Sequence, residues 1–231
     1  MLEGIRLISF DLDDCLWPCR PVIRRAERRL YRWLEHHAPR VTEAMSLEAM
    51  WEHRERFMAA HPELVHDLTL VRLRTLQEVM ERFGYPQALA EEATALFRRE
   101  RNRVEPYADV APALRALRRR FLLVSVTNGN AQVEETPLAG LFHLDLTSAE
   151  VGAAKPDPAL FRAAADWAGV EPAQMLHVGD DPERDVLAAR RAGLRAVWVR
   201  RRPEAAWPWR EPPPPRWVIS TLAPLQAAVA G

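Results

Sequence analysis

Residues 5–10, IRLISF, form a short apolar run with β-branched members, the pattern of a buried strand. No partner strand follows for a long way. From residue 21 to residue 103 the chain reads as helix, with apolar spacing over 21–38, 46–60, 67–83 and 87–102 and breaks at His37-Ala-Pro39, His61-Pro62 and Gly84-Tyr-Pro86. In 67–83, Leu68, Val71, Leu76, Val79 and Met80 fall largely on one face. A lone strand has nothing to pair with, so the first run belongs to a sheet whose other strands come after the helical block. That block is an insertion.

Beyond Val104-Glu-Pro106 helices and strands alternate. The spacing predicts a helix over 109–119, strands over 121–126 and 143–147, a helix over 158–168, a strand over 175–179, a helix over 183–192 and a strand over 195–199. A Pro-rich loop (211–216), a short strand WVIS and a helix from Leu222 complete it. Such alternation indicates an α/β fold: a Rossmann-like parallel sheet wound on both faces, with an inserted all-helical domain. The expected division is 1–16 with 105–231 for the α/β core, and 17–104 for the insertion. The 231 residues carry 32 basic and 32 acidic side chains, so no charge excess points to nucleic acid or an anionic membrane. No apolar run approaches the ~20 residues needed to span a bilayer, and two cysteines four apart are not a disulfide framework. A soluble cytoplasmic protein, monomer or homodimer, is expected.

In open parallel sheets, ligands bind at the carboxyl ends of the strands near a switch in strand order. The strand ends here are chemically specific. The first leads into Asp11-Leu-Asp13-Asp14, the second into Thr127-Asn128-Gly129-Asn130, a loop after the third holds Lys155-Pro156, and the fourth leads into Gly179-Asp180-Asp181-Pro-Glu-Arg-Asp185. Acids crowded with one lysine are costly unless a cation and an anion share the site. Carboxylates of Asp11, Asp180 and Asp181 or Asp185 suit Mg²⁺. Lys155, the Thr127 hydroxyl and the N–H groups around Asn128 and Gly129 suit a phosphoryl group. All basic side chains but Lys155 are arginine, and a compact ammonium fits a crowded anion site where a guanidinium fork does not.

D-L-D-D-C, T-N, K-P and G-D-D-P-E-R-D, in this order on an α/β frame, resemble the four motifs of the haloacid dehalogenase (HAD) superfamily, and the helical insertion resembles its cap domain. The resemblance covers nearly the whole chain. It implies that Asp11 is the nucleophile that becomes an aspartyl phosphate, and that Asp13 protonates the leaving oxygen and then activates water. It further implies that Thr127 and Lys155 hold the phosphoryl oxygens, that Asp11, Asp180 and the Asp13 carbonyl bind Mg²⁺, and that Asp185 orients Lys155 or a metal water. An acid two residues beyond the nucleophile separates the superfamily's phosphatases from its dehalogenases, and Asp13 favours a phosphatase. RPVI, the His66-Asp67 pair, TNGNAQ and LHVGDD with AGLRAVWVR resemble bacterial phosphatases acting on flavin mononucleotide and the phosphorylated ribitylaminouracil of riboflavin synthesis. The implied substrate is a small phosphorylated metabolite.

Other readings stand beside these. A dehalogenase of the same fold and a non-catalytic binding protein using the Pro-rich segment are the alternatives. Asp181 either binds metal or caps the next helix, and Asp185 either joins the metal ligands or flanks that helix. Trp17 and Arg20 either touch substrate or anchor the cap entrance. His66 contacts substrate unless His66-Asp67 is a helix start with Asp67 as N-cap. Asp14 is expected to face away, and the arginines of 118–120 and 200–202 to be solvated ends of elements. Cys19 and Arg25 match C-x5-R, but a phosphate-binding loop needs N–H donors, and CRPVIRR contains a proline and no glycine. Cys15 has no matching arginine and is expected to pack as a small hydrophobe.

Overall fold

The computed structural model describes residues 2–230. The chain divides into two compact units, one made of the residues up to Pro18 with those from Glu105 onward, the other Cys19–Val104.

The first unit is a six-stranded sheet in the order β3-β2-β1-β4-β5-β6, every neighbouring pair parallel. Its strands are β1 (Leu7–Phe10), β2 (Leu122–Thr127), β3 (Leu144–Thr147), β4 (Met175–Gly179), β5 (Arg195–Val199) and β6 (Trp217–Ile219). β1 lies between β2 and β4, all four residues buried, which is why it reads as a mainly apolar run rather than an alternating one. β2 and β3 extend the sheet on one side of β1. β4 then returns to the other side, so strand order reverses at β1. In register, Phe10 pairs with Ser125 and Val178, which aligns the carboxyl ends of the three central strands on one edge.

The second unit holds α1 (Cys19–His37), α2 (Pro39–Ala44), α3 (Leu47–Ala60), α4 (Leu68–Arg82) and α5 (Ala88–Arg101). α2 is one helix more than the spacing predicts. Pro39 starts it, where a missing N–H costs nothing. Asp67 caps α4 by accepting from the N–H groups of Thr69 and Leu70, the helix-start reading of His66-Asp67. Ala26, Leu30 and Leu34 of α1, Leu76, Val79 and Met80 of α4, and Ala93 and Phe97 of α5 share this unit's own core. Leu68, expected on the apolar face, is 36% exposed in the first turn.

The remaining helices are α6 (Val110–Leu117), α7 (Ser148–Val151), α8 (Ala159–Ala168), α9 (Ala188–Arg191) and α10 (Ala223–Ala230). Leu160, Phe161 and Ala164 of α8 pack with Leu7, Val124, Val126 and Met175. The helix expected over 183–192 divides instead: Pro182–Leu187 is a wide π turn, and only Ala188–Arg191 is α. Val186 N–H reaches back five residues to the Asp181 carbonyl, 3.2 Å. Such turns are frequent at functional sites.

Candidate active site

Asp11 follows the last residue of β1, and its N–H continues the ladder to the Val178 carbonyl at 2.9 Å. This fixes the carboxylate at the carboxyl edge of the sheet. The chain then folds back: Asp14 takes the left-handed conformation (φ 57°) and donates its N–H to the Trp17 carbonyl at 2.8 Å. Aspartate tolerates that conformation better than most residues. Asp14 therefore shapes the loop.

Lys155 is 3% exposed. Its Nζ donates to Asp11 Oδ1 (2.7 Å), Asp185 Oδ1 (2.6 Å) and the Val126 carbonyl (2.9 Å), which uses all three ammonium protons. Its backbone is clamped by the Asn128 amide, which donates from Nδ2 to the Lys155 carbonyl and accepts the Lys155 N–H at Oδ1, both 2.8 Å. The Thr127 hydroxyl accepts the Gly129 N–H at 2.9 Å. Of the backbone N–H groups around Asn128 and Gly129 expected to face a phosphoryl group, that of Gly129 is engaged inside its own loop, as is the Asn128 side chain. Their geometry braces Lys155 and orients Thr127.

Asp185 is drawn inward by the π turn. Besides Lys155, it accepts the Asp181 N–H at Oδ2 (2.9 Å) and lies 3.2 Å from His177 Nε2. His177 Nδ1 in turn meets Ser9 Oγ at 2.9 Å. A buried chain Ser9–His177–Asp185–Lys155–Asp11 runs under the strand ends. Neither Ser9 nor His177 stands out in the sequence, because each occupies an ordinary inward position on a strand.

The charges explain the pairing. Burial raises the Asp11 pKa to about 7; Lys155 offsets this only in part, and Asp185 adds to it. Burial raises Asp180 to about 9, with Asp11 and Asp185 adding to the rise. Burial pushes Asp185 upward too, but Lys155 and His177 outweigh it and hold the carboxyl well below its ordinary range. Lys155 is held above its ordinary value, Asp11 and Asp185 overcoming its desolvation. His177 is lowered by its burial, which favours the neutral ring.

One oxygen each from Asp11, Asp180 and Asp185 lie within 4.8 Å of one another. Three carboxylates against one ammonium leave the cluster short of positive charge, and hard oxygen donors suit a cation such as Mg²⁺. Asp181 stands outside this group: its Oδ1 accepts the N–H groups of Glu183 and Arg184, both 2.8 Å, so of the two readings the structure gives helix capping. Asp13 is half-buried, and its Oδ1 accepts the indole N–H of Trp17 at 2.9 Å. Trp17 is fully buried, the anchoring alternative, and sorts with the α/β unit rather than the insertion. Arg20 is exposed in the first turn of α1, and His66 is half-buried ahead of α4; both belong to the helical unit.

Arg201, expected to be solvated, is instead paired: Nη1 lies 2.9 Å from both Asp109 oxygens, and Nε donates to the Cys15 carbonyl at 2.9 Å. It pins the loop behind Asp11, using an acid far away in sequence. Cys15 is fully buried, and burial followed by the charges of Asp11, Asp180 and Asp185 raises its thiol pKa. Cys19 opens α1, so the C-x5-R segment is a helix rather than an anion-binding loop.

Among the described residues no helix is long and apolar enough to cross a membrane. A family model for haloacid dehalogenase-like hydrolases matches residues 5–193. The 5-amino-6-(5-phospho-D-ribitylamino)uracil phosphatase YigB of Escherichia coli is 33% identical, the match covering 99% of this chain and 98% of that one. The glyceraldehyde 3-phosphate phosphatase of Methanopyrus kandleri is 32% identical over 85% of this chain and 84% of its own. A crystal structure of a 2-haloacid dehalogenase from Pseudomonas syringae pv. Tomato superposes with a TM-score of 0.90 at 36% identity, covering 98% of both chains.

Proposed function

Because this chain belongs to the haloacid dehalogenase-like hydrolases and is a phosphatase of that family, we propose that it hydrolyses a small phosphomonoester through an aspartyl phosphate on Asp11, with Mg²⁺ as cofactor. The observation that carries this reading is the Lys155 ammonium held between Asp11 and Asp185 beside Asp180. That arrangement keeps one carboxylate at the sheet edge next to fixed positive charge.

In this mechanism the Asp11 carboxylate attacks phosphorus while Asp13 gives a proton to the leaving oxygen. Asp13 then takes a proton from water, which hydrolyses the acyl phosphate. Splitting one slow displacement into two lowers each barrier. Lys155 and the Thr127 hydroxyl neutralise and orient the phosphoryl oxygens. Asp11, Asp180 and the Asp13 carbonyl, with Asp185 in support, would hold Mg²⁺, which would supply further positive charge to the phosphoryl group. Asp185 keeps the Lys155 ammonium in place through its own pairing.

The substrate we favour is flavin mononucleotide or a riboflavin-pathway phosphate, supported by similarity to the Escherichia coli phosphatase over the whole chain. Cys15 and Cys19 carry thiols rather than a disulfide, in keeping with a cytoplasmic enzyme. Hydrolysis of flavin mononucleotide, ribitylaminouracil phosphate, sugar phosphates and phosphoglycolate should be measured side by side with Mg²⁺. Asp11→Asn should abolish turnover of whichever is cleaved, while Cys19→Ala leaves it intact; the reverse pattern refutes the mechanism. The likeness to a 2-haloacid dehalogenase raises a second reading. Chelation discriminates: the phosphatase loses activity in EDTA and regains it with Mg²⁺, whereas release of halide from a 2-haloacid in EDTA would favour the dehalogenase.

A further inference from the structure

Residues 12–17 form a closed loop. Leu16 N–H returns to the Leu12 carbonyl and Asp14 N–H to the Trp17 carbonyl, both 2.8 Å, and Tyr107 N–H holds the Leu16 carbonyl at 3.0 Å. The closure brings position 17 back beside position 13, where the two form a parallel bridge. Trp17 has no exposed surface, and its one polar atom, Nε1, points at Asp13 Oδ1 from 2.9 Å. Asp13 is thereby bonded to a fully buried side chain.

An indole N–H donates and never accepts. The oxygen it meets must offer a lone pair, which a carbonyl-type oxygen does far better than the hydroxyl of a carboxylic acid. We propose that Trp17 is a positioning residue for Asp13: by holding Oδ1, it assigns the transferable proton to Oδ2. The proposal rests on the reading of Asp13 as the group that protonates the leaving oxygen. As Asp11 forms its bond to phosphorus, the bond from phosphorus to the leaving oxygen breaks with its electron pair on that oxygen. The proton on Asp13 Oδ2 moves to it, and Asp13 is left as a carboxylate still bonded through Oδ1 to the indole. In the second step Oδ2 takes a proton from the attacking water. One oxygen handles the proton throughout while the other stays fixed.

The bland alternative is that Asp13 merely satisfies a buried indole, as buried tryptophans require. The two differ in what the N–H does for chemistry. An alkyl phosphate needs its leaving oxygen protonated, whereas p-nitrophenyl phosphate expels a stable anion unaided. Trp17→Phe keeps the apolar bulk and removes the donor. Against an alkyl phosphate its kcat/KM, which reports the step that expels the leaving oxygen, should fall about 10- to 100-fold, part of the ~10²–10⁴ that general acid catalysis supplies. Against p-nitrophenyl phosphate kcat/KM, which reports transfer to Asp11 and leaves out the shared hydrolysis of the acyl phosphate, should stay within about threefold of wild type, since that step has no use for the acid. Equal losses on the two esters, or none on either, overturn the proposal. If Trp17→Phe does not fold, β-(3-benzothienyl)alanine in place of Trp17, which keeps the shape of the ring and replaces N–H by sulfur, gives the same decision. Asp13→Asn is the reference. Adding Trp17→Phe to it should not change the ratio of the two rates, and a further change in that ratio also overturns the proposal. Failure of wild type to cleave either ester, or activity surviving Asp11→Asn, would instead refute the phosphatase mechanism, so the two failures are distinct.

Discussion

At position 179 a side chain would need the space that Asp185 already fills. A Cβ built on Gly179 would lie 2.3 Å from the Asp185 carboxyl carbon. Gly179→Ala should therefore push Asp185 off Lys155 and cost on the order of 100-fold in kcat, as misplacements of about 1 Å do, while circular dichroism shows the fold retained. Lys155→Arg tests the same cluster from the other side. It keeps the charge, yet a planar fork cannot repeat three bonds in a pocket this closed, so kcat should fall about 10²–10³-fold. Asp11, Lys155 and Asp180 are legible in the sequence because strand ends are where a parallel sheet concentrates polar residues against an apolar background. His177 is not. It reads as one more inward strand position, and only the π turn, which swings Asp185 beneath β4, gives that ring a partner. Arg201 escaped for a different reason: its acid, Asp109, is brought to it by the fold and by nothing local.

Among the helices, the insertion carries an internal ion triad. Glu27 of α1 is 2% exposed and bonds Arg72 of α4 at 2.8 Å and Arg54 of α3 at 2.8 Å. Arg72 also lies 3.3 Å above the Phe97 ring of α5, so one group ties four helices together. Removing one member of a buried pair strands the other charge, and Glu27→Ala should destabilise this unit by about 3–5 kcal/mol in denaturant titration. Burial alone would raise the Glu27 pKa, but Arg72 and Arg54 outweigh it and hold the folded value below 4.5. A depressed folded pKa means the stabilisation is fully present above the unfolded value and is lost as pH falls through the folded one. The helical signal should accordingly melt earlier as pH drops below about 4.5, and Glu27→Gln should flatten that dependence. The helices themselves are plain in the apolar spacing. The triad is not, since a glutamate among arginines on α1 looks like a solvated face.

The chain as a whole builds two cores, one per unit, and that sets how it should respond to the proposed cation. The acidic cluster lies entirely in the α/β unit. A cation that binds the native cluster stabilises it by mass action, about 2.7 kcal/mol at a hundredfold excess over Kd. Calorimetry with added Mg²⁺ should raise the melting of the α/β unit, and Asp180→Asn should remove the shift. Domain order was legible because a strand without neighbours forces an insertion; the seam was less so, since Trp17 reads as part of the helical block until its bond to Asp13 is seen. Lys155 has one more consequence. It is the chain's only side-chain amine, buried and bonded on all three protons. An acylating reagent applied to the native protein therefore meets no lysine until the cluster opens, and the pace at which position 155 becomes labelled is a clock for that opening.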